Sequence, residues 1–600
     1  MDEVKKLPTR NEVPEDLKWD LTTIYKNDDE FEKDFAECKK DIQKMEQMDN
    51  EIPHNAQQLL NIIKQIETLQ RKADKLSVYA SLNNDADTSN VKYQSMDARC
   101  SDLYSHADQA TAWFEPAILQ MNHDELNQMM DANEELNNYR HYFDEVFSHK
   151  PHILDAEHEK MLSSLSSIFE TPSNVYGIMT DSDLKFPVVK DEKGQSMELS
   201  GGVYSKLLES TNREVRKNAF QKLYTVYKQF KNTFASTLSG EVKVHNYEAK
   251  MRNYDSAKQA ALSENNIDES VYQTLIDTVN KYLPLLHRYV KLRKKLLSLD
   301  ELHMYDLYTP LFGKSPISYD FSSAKKEAIK ALSVLGDDYV SHIKEEFDNH
   351  WIDVVENKGK RGGAYSSGVY DTNPYILLNW QDNLDNLYTL VHESGHSMHS
   401  YYTNHNQPFQ YGSYSIFLAE IASTTNENIL TDYLLKNTDD VEVKKYVLNY
   451  FLDGFKGTIF RQTQFAEFED FAHQQEQNGN PLNSKMLSDY YHELNKKYYG
   501  DDVVSDPEIA YEWARIPHFY MDYYVYQYAT GFAAAIDLSE GICSKDDNAL
   551  ENYLTYLKSG SSDFPLNVIK RAGVDMTKSD YLEKAFQVFE QRLNELEKLI

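Results

Sequence analysis

His392, Glu393 and His396 stand in the order H-E-x-x-H within the segment LDNLYTLVHESGHSMHSYY. Leu384, Leu387 and Val391 recur there at steps of three and four with no proline between, so the segment predicts an amphipathic helix. Four residues advance such a helix by about 400°, leaving the two imidazoles about 40° apart on adjacent turns, within reach of one ion. Glu393 lies about 60° around from His396, placed to address a water on that ion. Neutral imidazoles with no thiolate in reach favour zinc. In a chain with 19 histidines, the motif would arise by chance roughly once in twenty such sequences, so the surrounding residues must carry weight.

A catalytic zinc needs a third protein ligand and an open fourth position. The continuation H-E-x-x-H-x-x-G-x-x-H is excluded, because His399 and Tyr402 occupy the places of its glycine and last histidine. His399, one turn beyond His396, is expected behind the ligands or on the surface. The next candidate helix, Tyr414 to Leu430, supplies Glu420, twenty-four residues after His396. Glu420, Ser423 and Glu427 fall at steps of three and four, so one face presents a ligand and a further acceptor. Glu420 lies inside the apolar run IFLAEIA, where an unpaired carboxylate would be costly.

The elements that must position these residues read as helical. Only 16 prolines and 21 glycines punctuate the chain. Leu59, Ile62, Ile66, Leu69, Ala73 and Leu76 form one apolar stripe, and Leu582, Ala585, Phe586, Phe589, Leu593 and Leu596 another. Two stretches break the pattern. Leu184 to Val189 and Gln195 to Leu199 flank KDEKG as a short hairpin, and with Gly201 and Gly202 mark a domain boundary. This divides the chain into an N-terminal helical lobe, residues 1–200, and a second domain that carries the H-E-x-x-H segment, residues 201–600. The second break, Lys358 to Trp380, reads as a glycine-rich flap followed by a strand from Tyr375 that offers an edge to an extended peptide. Lacking G-x-x-x-x-G-K-[ST] and G-x-G-x-x-G, the loop is not a nucleotide cradle.

Six hundred residues exceed one compact domain, and 41% hydrophobic with 26% charged residues is globular composition. A formal charge of −33 repels phosphate backbones and anionic lipid, which argues against nucleic acid and membrane as partners. Cys38, Cys100 and Cys543 are three widely spaced thiols, suited to a reducing compartment. With no apolar signal region and no membrane-length apolar run, the expected location is the cytoplasm.

The same motifs resemble the thimet oligopeptidase-like zinc metallopeptidases, and within them the oligoendopeptidase F group. The resemblance rests on HESGHSMHS from His392, FLAEIASTTNE from Phe417 to Glu427 and KGKRGGAYSSG from Lys358. It extends to LKWDLTTIY, LKFPVV and PHFYMDYYVYQYATG from Pro517 to Gly531, and so over nearly the full length. It implies a mostly α, two-lobed fold with a deep substrate channel and a small β-sheet near the active site. It also implies one zinc per chain on His392, His396 and Glu420, and internal cleavage of short peptides. Hydrolysis would use Glu393 as general base, with a further donor to the tetrahedral oxyanion. The resemblance points to His518 for that donor, with Tyr523, five residues on. Two alternatives differ in class. A zinc aminopeptidase would require a G-x-M-E-N motif, which is absent, and a non-enzymatic helical binding protein with a structural metal would leave Glu393 without a task.

Overall fold

The computed structural model describes residues 6–48 and 53–600. As expected, the fold is mostly α: helices dominate, and the strands are two or three residues long. Helices begin where the sequence supplies a cap. Asn55, Asn90, Asp268, Asn383 and Asn483 each accept a backbone N–H from the following first turn, satisfying donors that the helix itself cannot.

Two compact units result, each assembled from three stretches of chain. One comprises Met1–Lys150, Ile317–Tyr433 and Leu538–Gly573, the other Pro151–Pro316, Leu434–Asp537 and Val574–Ile600. The single boundary at 200/201 is therefore not one of the junctions; the predicted hairpin lies inside the second unit.

In the first unit, helix Ala56–Ala86 buries all six residues of its expected stripe against helix Val91–Thr111. Burial of each large apolar side chain contributes roughly 1.5–3 kcal/mol. A three-stranded sheet packs against helix Leu384–Asn406. Its central strand, Tyr375–Leu377, runs parallel to Ile352–Asp353 and antiparallel to Tyr365–Ser367, with Ile376 opposite both Ile352 and Ser366. Tyr375–Leu377 is thus the inner strand and not the edge expected from sequence; Tyr365–Ser367 is an outer strand, as is Ile352–Asp353.

The glycine-rich run is anchored where it begins. The Lys360 side chain is buried, with Nζ 2.7 Å from Asp353 Oδ1, and Arg10 pairs with the same buried carboxylate. Arg361 Nη1 meets Asp85 at 3.2 Å, and Lys358 N donates to the Pro8 carbonyl at 2.8 Å. Lys360 and Arg361 are therefore spent on carboxylates of the fold, so the first part of the expected flap is pinned.

The second unit holds the hairpin Val188–Lys190 with Ser196–Glu198 and a parallel pair, Leu302–His303 with Val503–Val504. Helix Asp580–Lys598 buries its whole predicted stripe on helices Val441–Phe455 and Glu269–Leu296. Buried charges are paired: Arg293 Nη1 lies 3.0 Å from Asp453, and Arg461 lies 2.7 Å from Glu512, which also accepts the Tyr491 hydroxyl at 2.6 Å.

Candidate metal centre

Helix Leu384–Asn406 carries His392, Glu393 and His396 as the periodicity requires, with Leu384, Leu387 and Val391 fully buried beneath them. Helix Ile416–Asn437 crosses it at Gly395. A Cβ on Gly395 would lie 2.6 Å from Ser423 Cα and 2.9 Å from the Ala422 carbonyl oxygen. The helices approach this closely because residue 395 has no side chain. Across the crossing, Asn426 donates its amide to the Val391 carbonyl at 3.0 Å, and the Tyr388 and Thr431 hydroxyls meet at 2.9 Å.

That approach brings Glu420 to the two histidines. Its Oε2 lies 3.5 Å from His392 Nε2 and 3.6 Å from His396 Nε2; all three donor atoms fall within 4.8 Å of one another. Ligands held at about 2.0–2.1 Å by a tetrahedral ion sit about 3.3 Å apart, so the set fits a zinc-sized cation. His392 Nδ1 lies 2.7 Å from Glu427 Oε1, which turns Nε2 toward Glu420 and fixes the ring, the usual support for a metal-binding imidazole. Ser423 Oγ donates to Glu420 Oε2 at 3.2 Å.

The local charges favour a cation. The hydrogen bond from His396 pulls the Glu420 carboxyl down to about 2 against its burial, with help from the His392 charge and Ser423. Burial would lower the His392 imidazole, but Glu427, Glu393 and Glu420 outweigh it and hold it at about 9. Glu393 is buried, and that burial raises its carboxyl above the ordinary range, opposed by His392, His396 and the Ser366 backbone N–H. Ser366 belongs to the outer strand Tyr365–Ser367, and its Oγ is 2.9 Å from Ser397 Oγ, so the small sheet directly braces the general-base candidate. Beneath it, Glu346 is fully buried and faces Ser394 and Ser397; burial pushes it up to about 7.

His399 is neither on the surface nor a ligand. It is buried, stacked on Tyr414 with ring centroids 3.6 Å apart, and burial with the neighbouring His396 lowers it to about 3. The remaining predicted residues lie in the second unit. His518 is half-buried beside Tyr524 and Tyr528, at ring distances of 6.2 and 6.0 Å. Tyr523 differs from expectation: its ring is buried, its hydroxyl donates to Asp470 at 3.1 Å and its N–H to Glu469 at 2.8 Å. Sequence reasoning missed Gly395, Ser366 and Glu346. The glycine within H-E-S-G-H was the visible signal for the first; nothing local announces the other two.

The chain also matches a known family of peptidases. The model of Peptidase family M3 matches residues 206–588, and that of Oligopeptidase F matches 118–186. The chain is 47% identical over 594 residues to Oligopeptidase PepF of Bacillus subtilis, covering 99% of this chain and 89% of the relative. It is 49% identical over 591 residues to Group B oligopeptidase PepB of Streptococcus agalactiae, covering 98% of each. The crystal structure of oligoendopeptidase-F from Enterococcus faecium superposes with a TM-score of 0.74 at 48% identity, over 95% of this chain and 99% of that one. A convergent two-histidine, one-carboxylate set thus lies in a chain that matches these peptidases from end to end, and the protein is a metalloendopeptidase of peptidase family M3, in its oligoendopeptidase F group.

Proposed function

We propose that the chain is a zinc-dependent oligoendopeptidase that hydrolyses internal bonds of short peptides. In this reading His392, His396 and Glu420 hold one zinc and Glu393 is the general base. The observation that carries it is the meeting of three donor atoms beside a buried carboxylate with a raised pKa. Bound zinc supplies a Lewis acid that polarises the scissile carbonyl and lowers the pKa of water. Glu393 accepts the water proton on its carboxylate and returns it to the leaving amine, a shuttle that its raised pKa suits. Glu427 holds the His392 ring so that Nε2 faces inward. The outer strand Tyr365–Ser367 replaces Tyr375–Trp380 as the edge assigned to the peptide backbone.

His518 is proposed as the donor to the oxyanion. Tyr523 keeps its hydroxyl on Asp470 and suits holding the segment, so the assisting tyrosine is reassigned to half-buried Tyr524. A cytoplasmic setting fits three cysteines that form no disulfide.

The test joins metal analysis to cleavage of an internally quenched, end-blocked peptide, with chelation and zinc add-back. Glu393→Gln should retain zinc and lose about 10²–10⁴-fold in kcat. Unchanged turnover in that variant removes the general base from the scheme. Failure to cut blocked peptides while cutting free N-termini would make the protein an aminopeptidase.

A further inference from the structure

A second convergence of ligand atoms lies wholly within the second unit, formed by His245, His473 and Asp522. The three come from separate elements: helix Lys231–Met251, helix Arg461–Gln477 and the turn after Pro517–Tyr520. His245 Nδ1 lies 3.2 Å from His473 Nε2 and 3.4 Å from Asp522 Oδ1, and His473 Nε2 lies 3.6 Å from Asp522 Oδ1. These edges match the separation of about 3.3 Å between ligands of a tetrahedral ion, and they resemble those of the first site.

The imidazoles are prepared for that role. His473 Nδ1 donates to the Glu469 carbonyl at 3.0 Å, so its Nε2 presents a lone pair to the cluster. His245 Nε2 faces Glu241 Oε1 at 3.6 Å, leaving Nδ1 inward. Both histidines therefore carry the outer partner that orients metal-binding imidazoles.

Hydrogen bonding alone leaves the cluster incomplete. One proton on His245 Nδ1 can serve His473 Nε2 but not also Asp522 Oδ1, and that oxygen is buried without a hydrogen-bond partner. A cation at the centre would satisfy all three atoms together. The backbone adds an independent sign: Asp522 and Tyr523 take φ of +40° and +56° in succession. The Tyr523 N–H bond to Glu469 helps hold this strained turn, and such strain gathers at ligand clamps. His245 and His473 side chains are 11% and 2% exposed, whereas Asp522 is 30% exposed, which gives an ion a route in.

We propose that His245, His473 and Asp522 form a second divalent transition-metal site, of zinc or a zinc-like ion, that clamps two helices to the turn between His518 and Tyr524. The site owes nothing to the catalytic reading, and its test separates the two. Full-length protein is equilibrated with zinc, passed over a weak chelating resin and counted for metal per chain. Wild type should hold two, and His473→Gln and Asp522→Asn one each. The chain carrying His396→Gln and Glu420→Gln should keep one. In that chain zinc should raise Tm by a few degrees, and cobalt should give visible ligand-field absorption. Adding Asp522→Asn should abolish both signals; this partly exposed residue serves if His473→Gln does not fold. Absence of metal from the His396→Gln Glu420→Gln chain, or a second ion that survives both Asp522→Asn and His245→Asn, overturns the proposal.

Discussion

Gly395→Ala isolates the feature that brings the metal ligands together. Alanine is the better residue in a helix interior by about 1 kcal/mol, so without the crossing the substitution should stabilise the protein. At the crossing, the new Cβ would meet Ser423 Cα at 2.6 Å, against an ordinary minimum of 3.4 Å, and the backbones must part by about 0.8 Å in an interior with few voids. Overpacking of this kind costs about 1–3 kcal/mol. Ser423 lies one turn from Glu420, so the carboxylate withdraws from His392 and His396 by a comparable amount. Misplacement on the order of 1 Å costs about 10²-fold in rate. The expected outcome is a lower Tm, weaker zinc retention against a competing chelator, and kcat/KM reduced about 10²-fold on an end-blocked quenched peptide. A variant with Tm at or above wild type, and with affinity and kcat/KM within twofold, would refute the reasoning that close helix approach builds the site.

Three further outcomes follow from neighbouring contacts. Glu427→Gln, which removes the charge holding His392 Nδ1, should weaken metal affinity about 10–100-fold, read by competition with a chromophoric chelator. Glu346 is held at about 7 by burial, so as pH rises from about 4.5 the unfolded chain gives up this proton first and the folded state loses stability until about pH 7. Glu346→Gln should therefore gain on wild type progressively across that window, by on the order of 3 kcal/mol at pH 8, measured by denaturant midpoints; a gain independent of pH would contradict it. Asp353→Ala strands Lys360 and Arg10 and should cost about 3–5 kcal/mol, visible as a fall in the same midpoint.

Local periodicity made much of the fold legible. The stripes on Ala56–Ala86 and Asp580–Lys598 are buried as spaced, because a helix shows its neighbours one face and residues at steps of three and four must occupy it. The same geometry set His392 and His396 on one face, and the cost of a carboxylate within IFLAEIA singled out Glu420. Sequence spacing could not rank the tyrosines after His518, because the partner of the Tyr523 hydroxyl is Asp470, more than fifty residues earlier.

What the chain determined by itself is thus which faces are apolar and which side chains share a turn, since both follow from bonds within a few residues. Which face meets which was decided only by packing between distant segments. The closeness of two backbones at Gly395, the inner place of Tyr375–Leu377 and the meeting of His245 with His473 and Asp522 all arise there. Each depends on volumes and hydrogen bonds contributed from both sides of a contact, and neither side alone encodes the other.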